Sequence, residues 1–298
     1  MKNRSLFCRV FAGLIAVLLF TVSFSSFTHA ADQTVESITL SPVSKRYKLD
    51  AGQTIQDKIT IVNDGKTAYD FIVYARPYAV QNDTYDPVFT ATTGNADAYQ
   101  WVQFDQIRYR LEPGVTTTVP YTVRVPKNAA PGGHYGVLFA ETQPVTNDTT
   151  SVARKKRVGS IIYATVNGTY QMGGKALGST VPFLQFRAPL IASTSVKNTG
   201  NSDFVDTVKF TVSDLFGTVK YQEEKDHPVL PQTTRKIDLQ WSQSAWFGLF
   251  KTKVESTVLG KTTVDNGFVL MSPRWLLIVI LIVVIGGIIY GIFRRTRK

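Results

Sequence analysis

Val115-Thr116-Thr117-Thr118-Val119-Pro120-Tyr121-Thr122-Val123-Arg124-Val125 is the stretch that decides the fold. Val119, Tyr121, Val123 and Val125 fall on one side of an extended chain, with Thr118, Thr122 and Arg124 on the other. Side chains alternate across a strand, so one face of this segment is built for a core and the other for water. Pro113-Gly114 and Pro126 bound it, as residues that turn the chain and cannot donate to a ladder.

The same pattern runs outward from Asp32 to Leu270, with no sustained helical period. Upstream, strands are expected at Ser37 to Leu40, Ile55 to Val62, Tyr69 to Ala75 and Trp101 to Leu111. Asn63-Asp64-Gly65 is a turn, because Asn and Gly tolerate positive φ. Pro77 to Gln100 reads as a long connection. Downstream, Pro131-Gly132-Gly133 turns into Tyr135 to Glu141, apolar enough for a central strand, and Val158 to Val166 closes the set. About seven strands is the content of one immunoglobulin-like sandwich.

Met172-Gly173-Gly174 to Gly178 marks a boundary, after which the pattern recurs. Val181 to Phe186, Ile191 to Lys197, Phe204 to Ser213, Val219 to Tyr221, the alternating Ile237, Leu239 and Trp241, Leu249 to Val258, and Thr262 to Leu270 are its strands. Val62-Asn63-Asp64-Gly65-Lys66 is answered by Lys197-Asn198-Thr199-Gly200-Asn201, and Leu111-Glu112-Pro113 by Leu230-Pro231. The fold expected is all-β: two tandem immunoglobulin-like β-sandwich domains, at 31–171 and 172–272, followed by one helix.

That helix is Trp275 to Phe293, without charge or proline, and long enough to cross a hydrocarbon core of about 30 Å. Trp275 sits at one end and Tyr290 near the other, where such rings prefer the headgroup layer. Arg294, Arg295, Arg297 and Lys298 follow, against Arg274 before it. This bias predicts a cytoplasmic tail at 294–298 and extracellular sandwiches. Lys2, Arg4 and Arg9, the apolar Val10 to Phe20 and the small-residue end at Thr28-His29-Ala30 predict a signal peptide over 1–30, cut between Ala30 and Ala31.

The single cysteine, Cys8, precedes that apolar core. The exported part is therefore expected to fold without disulfides. The net charge of +11 has three cations in the leader and five around the helix, which leaves the ectodomain only mildly basic. Nucleic acid is not an expected partner.

His134 and His227 fall in expected turns of different domains, and Glu223-Glu224 in a charged hairpin. No cysteine, Gly-x-Ser-x-Gly elbow or ligand cluster points to catalysis, a metal or a cofactor. The chain is expected not to be an enzyme. Arg154-Lys155-Lys156-Arg157 is the one concentrated basic run, read either as a grip on an anionic polymer or as a solvated hairpin that discourages edge pairing. Trp241, Trp246, Phe247 and Phe250 are open to two readings as well, a partner surface or part of the second core.

With Pro131-Gly132-Gly133-His134-Tyr135-Gly136-Val137-Leu138-Phe139 and the earlier Gly52 to Gly65 segment, the architecture resembles the WxL-interacting surface proteins of Gram-positive bacteria. Both segments also resemble pilus-chaperone-like and other immunoglobulin-like domains. The resemblance implies a first domain associated with peptidoglycan and a second with host or partner proteins, without assigning single residues. The expectation is a membrane-anchored scaffold attached to cell-wall polymer (peptidoglycan or an anionic glycopolymer), to a surface or host protein, or to both. The alternative is a membrane-tethered chaperone-like module that pairs strand edges.

Overall fold

The computed structural model describes residues 37–90, 94–143 and 155–296, with the side chains at 289–294 and 296 left out. The expected signal peptide, with Ala30 and Ala31 at its expected cleavage point, Arg154, and the last residues Arg297 and Lys298 lie outside the described residues, as does the side chain of Phe293. In chain order the first strands are β1 (Ile38–Ser41), β2 (Ser44–Leu49), β3 (Thr54–Asn63), β4 (Tyr69–Pro77), β5 (Ala79–Gln81) and β6 (Asp86–Val88). They continue with β7 (Val102–Phe104), β8 (Arg108–Leu111), β9 (Thr116–Arg124), β10 (Gly132–Gln143) and β11 (Arg157–Val166). The second set is β12 (Gly174–Thr180), β13 (Leu184–Gln185), β14 (Leu190–Asn198), β15 (Phe204–Ser213), β16 (Val219–Val229), β17 (Thr234–Trp241), β18 (Gly248–Val258) and β19 (Lys261–Met271), followed by helix α1 (Arg274–Thr296).

A four-stranded sheet, β1-β3-β9-β7, faces a five-stranded one, β2-β11-β10-β4-β8. Val119, Tyr121 and Val123 of β9 meet Ile59, Ile61, Phe71 and Leu138 in the core between them. Full burial of such side chains contributes about 1.5–3 kcal/mol each. No sheet joins strands before β12 to strands after it; the second pair is β12-β14-β17 and β13-β19-β18-β15-β16. Its core includes Leu190, Val196, Phe210, Ile237 and Val254.

Several expectations are corrected. The segment Trp101 to Leu111 is not one strand but two, β7 and β8, in opposite sheets. Asp105 and Gln106 carry the chain across, and Val73 N–H then donates to Ile107 O at 2.9 Å. The connection Pro77 to Gln100 contains the β5–β6 hairpin and a 3-10 turn, Ala98–Trp101. Strand β2 is an addition, parallel to β11. His134 lies in β10, while His227, Glu223 and Glu224 lie in the edge strand β16. Gly174 and Lys175, expected at a boundary, open β12.

The helix covers the expected Trp275 to Phe293, but its side chains are described without a break only as far as Ile288. Among the described residues no helix is long and apolar enough to cross a membrane.

The repeat has a physical basis. Asn63 is fully buried and donates from Nδ2 to Thr67 O at 2.9 Å and Leu111 O at 3.1 Å, while its Oδ1 accepts from Gly65 N–H at 3.0 Å. Asn198, equally buried, donates to Ser202 O at 2.9 Å and Val229 O at 2.8 Å and accepts from Gly200 N–H at 2.8 Å. One amide thus closes a turn and ties it to a neighbouring strand in each sandwich. Replacing either with Ala strands two carbonyls, and a buried polar group left without a partner costs about 1–3 kcal/mol. Asn63→Ala and Asn198→Ala should each lower unfolding free energy by about 2 kcal/mol or more in denaturant titration. A loss within error would show that water replaces the amide.

Candidate binding surface

The outer face of the five-stranded sheet is where the functional question concentrates, because half of it is covered and half is not. Over the covered half, Tyr135, Val137 and Phe139 of β10 and Tyr163 of β11 pack with Tyr78 and with Leu230 from the second sandwich. This explains the apolar run of β10, which is buried on both faces from Gly132 to Ala140. Tyr135 Oη donates to Asp203 Oδ1 and accepts from Asp203 N–H, both at 3.0 Å. Arg46 of β2 pairs with Asp203 Oδ2 while its guanidinium lies 4.3 Å from the Tyr163 ring centre. Burial, with the Asp203 charge beside it, pushes the Tyr135 phenol far above its ordinary range, so it stays protonated.

The Pro131-Gly132-Gly133 turn permits this approach. A Cβ on Gly132, at φ +125°, would sit 2.7 Å from Asn201 O, and one on Gly133 would strike the Tyr135 hydroxyl. With no side chains there, Gly133 N–H donates to Asn201 O at 3.0 Å. The β5–β6 hairpin clamps the other side. Tyr85 Oη accepts from Leu230 N–H at 2.5 Å and lies 2.7 Å from Thr233 Oγ1, Arg235 stacks on the Tyr85 ring, and Lys236 N–H donates to Asp83 O at 2.7 Å.

The uncovered half carries the expected basic run, in altered form. Lys155 pairs with Glu141 at 3.5 Å, and Arg157 lies 4.4 Å from the Phe139 ring centre and 5.5 Å from that of Phe89. Lys156 is held by its backbone, donating to Thr142 Oγ1 at 3.0 Å. Among the described residues of the run, Lys155 and Arg157 are exposed, and each has a partner on the sheet. Tyr74 Oη donates to Glu141 Oε2 at 2.6 Å, and this bond, with Lys155, holds the Glu141 carboxyl below its ordinary range. Register adds cations that the sequence run does not contain. Arg108 and Arg110 of β8 sit opposite Ile72 and Asp70 of β4, and Gln143 lies opposite Asp70 on its other side. A hollow of about 310 Å³ there is lined by Asp70, Ile72, Gln106, Arg108, Arg110 and Gln143, among others. An i, i+2 pair of arginines in one strand was the available signal, since such residues share a face.

Of the other expected residues, Trp241 and Phe250 join the second core, edge to face at 5.6 Å, while Trp246 and Phe247 are exposed. Trp275 is exposed at the start of α1. Among the described residues no three His, Cys, Asp or Glu side chains gather as metal ligands. His134 is spent structurally: Nδ1 contacts Asp97 Oδ1 at 2.7 Å and Nε2 contacts Ala130 O at 2.8 Å, with Trp101 against the ring at 4.7 Å.

Two predictions follow from these bonds. Asp203→Ala leaves the Tyr135 hydroxyl and Arg46 without their acceptor. Because Arg46 keeps 46% of its side-chain surface exposed, the loss should be about 2 kcal/mol, the range for hydrogen bonds to charge. Calorimetry should then show the two sandwiches melting less cooperatively; an unchanged endotherm would remove Asp203 as the lock. For His134, burial opposes the charged form, but the Asp97 and Ala130 bonds outweigh it and raise the pKa above its ordinary 6.5. The protonated ring stabilises the fold fully below about pH 6.5, and that contribution fades as pH rises through the raised value. His134→Gln should flatten stability against pH in this window, and a parallel curve for both proteins would exclude the ring.

No protein-family model matches the chain, and comparison with curated proteins gives no match either. Solved structures similar to it include the class 5 fimbriae chaperone CfaA, at 11% identity over 80% of this chain and 100% of that one, with a TM-score of 0.39. A second is the CsuC–CsuE chaperone–tip pre-assembly complex from the archaic chaperone-usher Csu pili of Acinetobacter baumannii, at 10% identity over 77% and 97%, with a TM-score of 0.39. A PapD-like domain of human CEP192 is similar at 14% identity over 48% and 97%, with a TM-score of 0.31.

Proposed function

We propose that this chain is a non-enzymatic surface protein, exported through its N-terminal segment and held by α1 as a single span of the cell membrane. In this reading both sandwiches lie outside, the tail after Phe293 is cytoplasmic, and the ligand is an anionic cell-wall polymer bound on the uncovered half of the five-stranded sheet. The observation that carries it is the convergence of Arg108, Arg110, Lys155 and Arg157 on one face with the half-buried Tyr74 and Phe89 rings. Phosphates meet cations there, and sugar rings meet aromatic faces. The intervening ion pairs, Arg110–Asp70 at 3.4 Å and Lys155–Glu141 at 3.5 Å, are partly or wholly exposed, and a polyanion displaces such pairs at little cost. The bonding of His134 and the sealed junction at Asp203 support a structural role for the polar groups that otherwise suggest chemistry. A surface or host protein as a second partner, and membership of the WxL-interacting proteins, belong to the same proposal.

The second reading, a tethered chaperone-like module, is favoured by the edge strand β16, Val219–Val229, which is ladder-bonded within its sheet only to β15. Its Lys220, Glu223, Glu224, Lys225 and Asp226 are the charges that usually block edge pairing.

Arg108→Gln, Arg110→Gln and Lys155→Gln together, in the full chain in detergent, separate the two. Because Arg157 packs on Phe139, it is left in place. For binding to purified wall glycopolymer, the triple variant should weaken affinity and flatten its salt dependence, since exposed charges are screened over about 8 Å at physiological salt. Melting should stay within about 0.5 kcal/mol, as for surface changes generally. Unchanged affinity and salt slope would retire the strip. Capture of extended peptides by both proteins alike would favour β16.

A further inference from the structure

The end of the second sandwich from which α1 departs is built differently from its opposite end. Register fixes what gathers there: Met271 pairs with Gly248, Lys251 with Ser213, and Trp241 with Leu190. The loops 186–189, 214–218 and 242–247 therefore sit at the same end as the entry to α1. They carry Phe186, Leu215, Phe216, Trp246 and Phe247, all exposed, with Phe216 at 95% and Trp246 at 65%. Solvent-exposed apolar side chains of this size are costly to leave in water when grouped. At the opposite end, the turns at Asn198, Leu230 and Leu259 face the first sandwich or water, and the large apolar residues exposed there are Leu259 and, beside the Asn198 turn, Met172, with no exposed ring.

Cations accompany the rings. Arg187, Lys220, Lys251 and Arg274 all lie at this end. Lys251 Nζ donates to Leu215 O at 3.0 Å, and Arg274 stacks on Phe186 at 5.0 Å. Between sandwich and helix runs an open groove of about 930 Å³ with an apolar floor of Phe186, Ile191, Trp275 and Ile278, and Arg187 and Arg274 beside it. Rings at the water–hydrocarbon boundary with cations among the headgroups is the pattern of membrane-interface segments.

We infer that the loops bearing Phe216 and Trp246 rest in the headgroup layer of the bilayer from which α1 departs, so that the second sandwich stands on the membrane. The occupant of this apolar end is lipid, with anionic headgroups facing Arg187 and Arg274. The helix fixes the choice, because the groove carries the apolar side chains Leu184, Phe186 and Pro189 directly on to Trp275 and Ile278, with Gln185, Arg187 and Arg274 as its polar lining. The inference rests on the reading of α1 as a span.

Cys8 is the only cysteine, so a Cys8→Ser background accepts single labels cleanly. Spin labels are attached to Phe216→Cys, Trp246→Cys, Leu259→Cys and Ile282→Cys in the full chain, each checked for unchanged melting. The proteins are reconstituted into vesicles of phosphatidylcholine with phosphatidylglycerol. Collisional relaxation by oxygen, which partitions into lipid, is compared with that by a water-soluble nickel chelate. Positions 216 and 246 should show an oxygen-to-nickel ratio several-fold above that at 259, and below that at 282. If 282 is lipid-exposed while 216 and 246 match 259, the loops stand in water and the inference falls although the span stands. If 216 and 246 meet lipid while 282 meets nickel, the loops dock and the span reading falls instead. All four positions open to nickel would overturn both.

Discussion

The carboxylate of Asp203 is the constraint on which the arrangement of the two sandwiches depends. Its side chain is 2% exposed, and a charge that deep is tolerable only when paired and hydrogen-bonded. Arg46 supplies the charge and Tyr135 the hydroxyl, from strands at the edge and centre of the first sandwich's larger sheet. The partners lie far apart in sequence, so the pair forms only when both sandwiches have their native relation. The Tyr163 ring lies under the Arg46 guanidinium and packs with Tyr135 and Tyr78 in one buried cluster. The β5–β6 hairpin then fastens the far side through Tyr85. The junction is thus an extension of the first sandwich's packing rather than a linker.

Much of this was written in the alternation of the chain. Strands β9 and β10 are legible because one has a single buried face and the other has two, and each leaves its own pattern. The buried asparagines were legible as turn signals, and the structure adds their second task, tying the turn to a distant carbonyl. Strand β2 was not legible. Ser44-Lys45-Arg46-Tyr47-Lys48 keeps no residue buried before Leu49, and its strand conformation comes from pairing with β11 and from Tyr47 hydrogen-bonding to Asp57 and Tyr121. The break between β7 and β8 left only a one-residue trace: apolar positions fall at 102 and 104, then at 107, 109 and 111, so the alternation slips at Asp105-Gln106, where the chain changes sheets.

The proposed binding surface was half legible. A charge run announces itself, so Lys155 and Arg157 were visible. Arg108, Arg110 and Tyr74 join them by register across strands, which no local window contains. The stacking of Arg157 on Phe139 also changes the meaning of the run, since a guanidinium held over a ring is oriented and partly desolvated. The aromatic group ahead of the helix split in the same way: Trp241 and Phe250 were claimed by the core, leaving Trp246 and Phe247 outside.

The parallel pairing of β2 with β11 has a bearing on the order in which the chain can fold. Residues 44–49 are ladder-bonded to residues 161–166, so the larger sheet of the first sandwich cannot close until more than a hundred intervening residues are present. Contacts between segments so distant slow folding, because the loop entropy is lost before the contact is gained. In a chain delivered N-terminus first, the early strands would wait with an unpaired edge. Lys45, Arg46 and Lys48 on β2 are placed to keep that edge soluble meanwhile, since like charges discourage pairing with another copy.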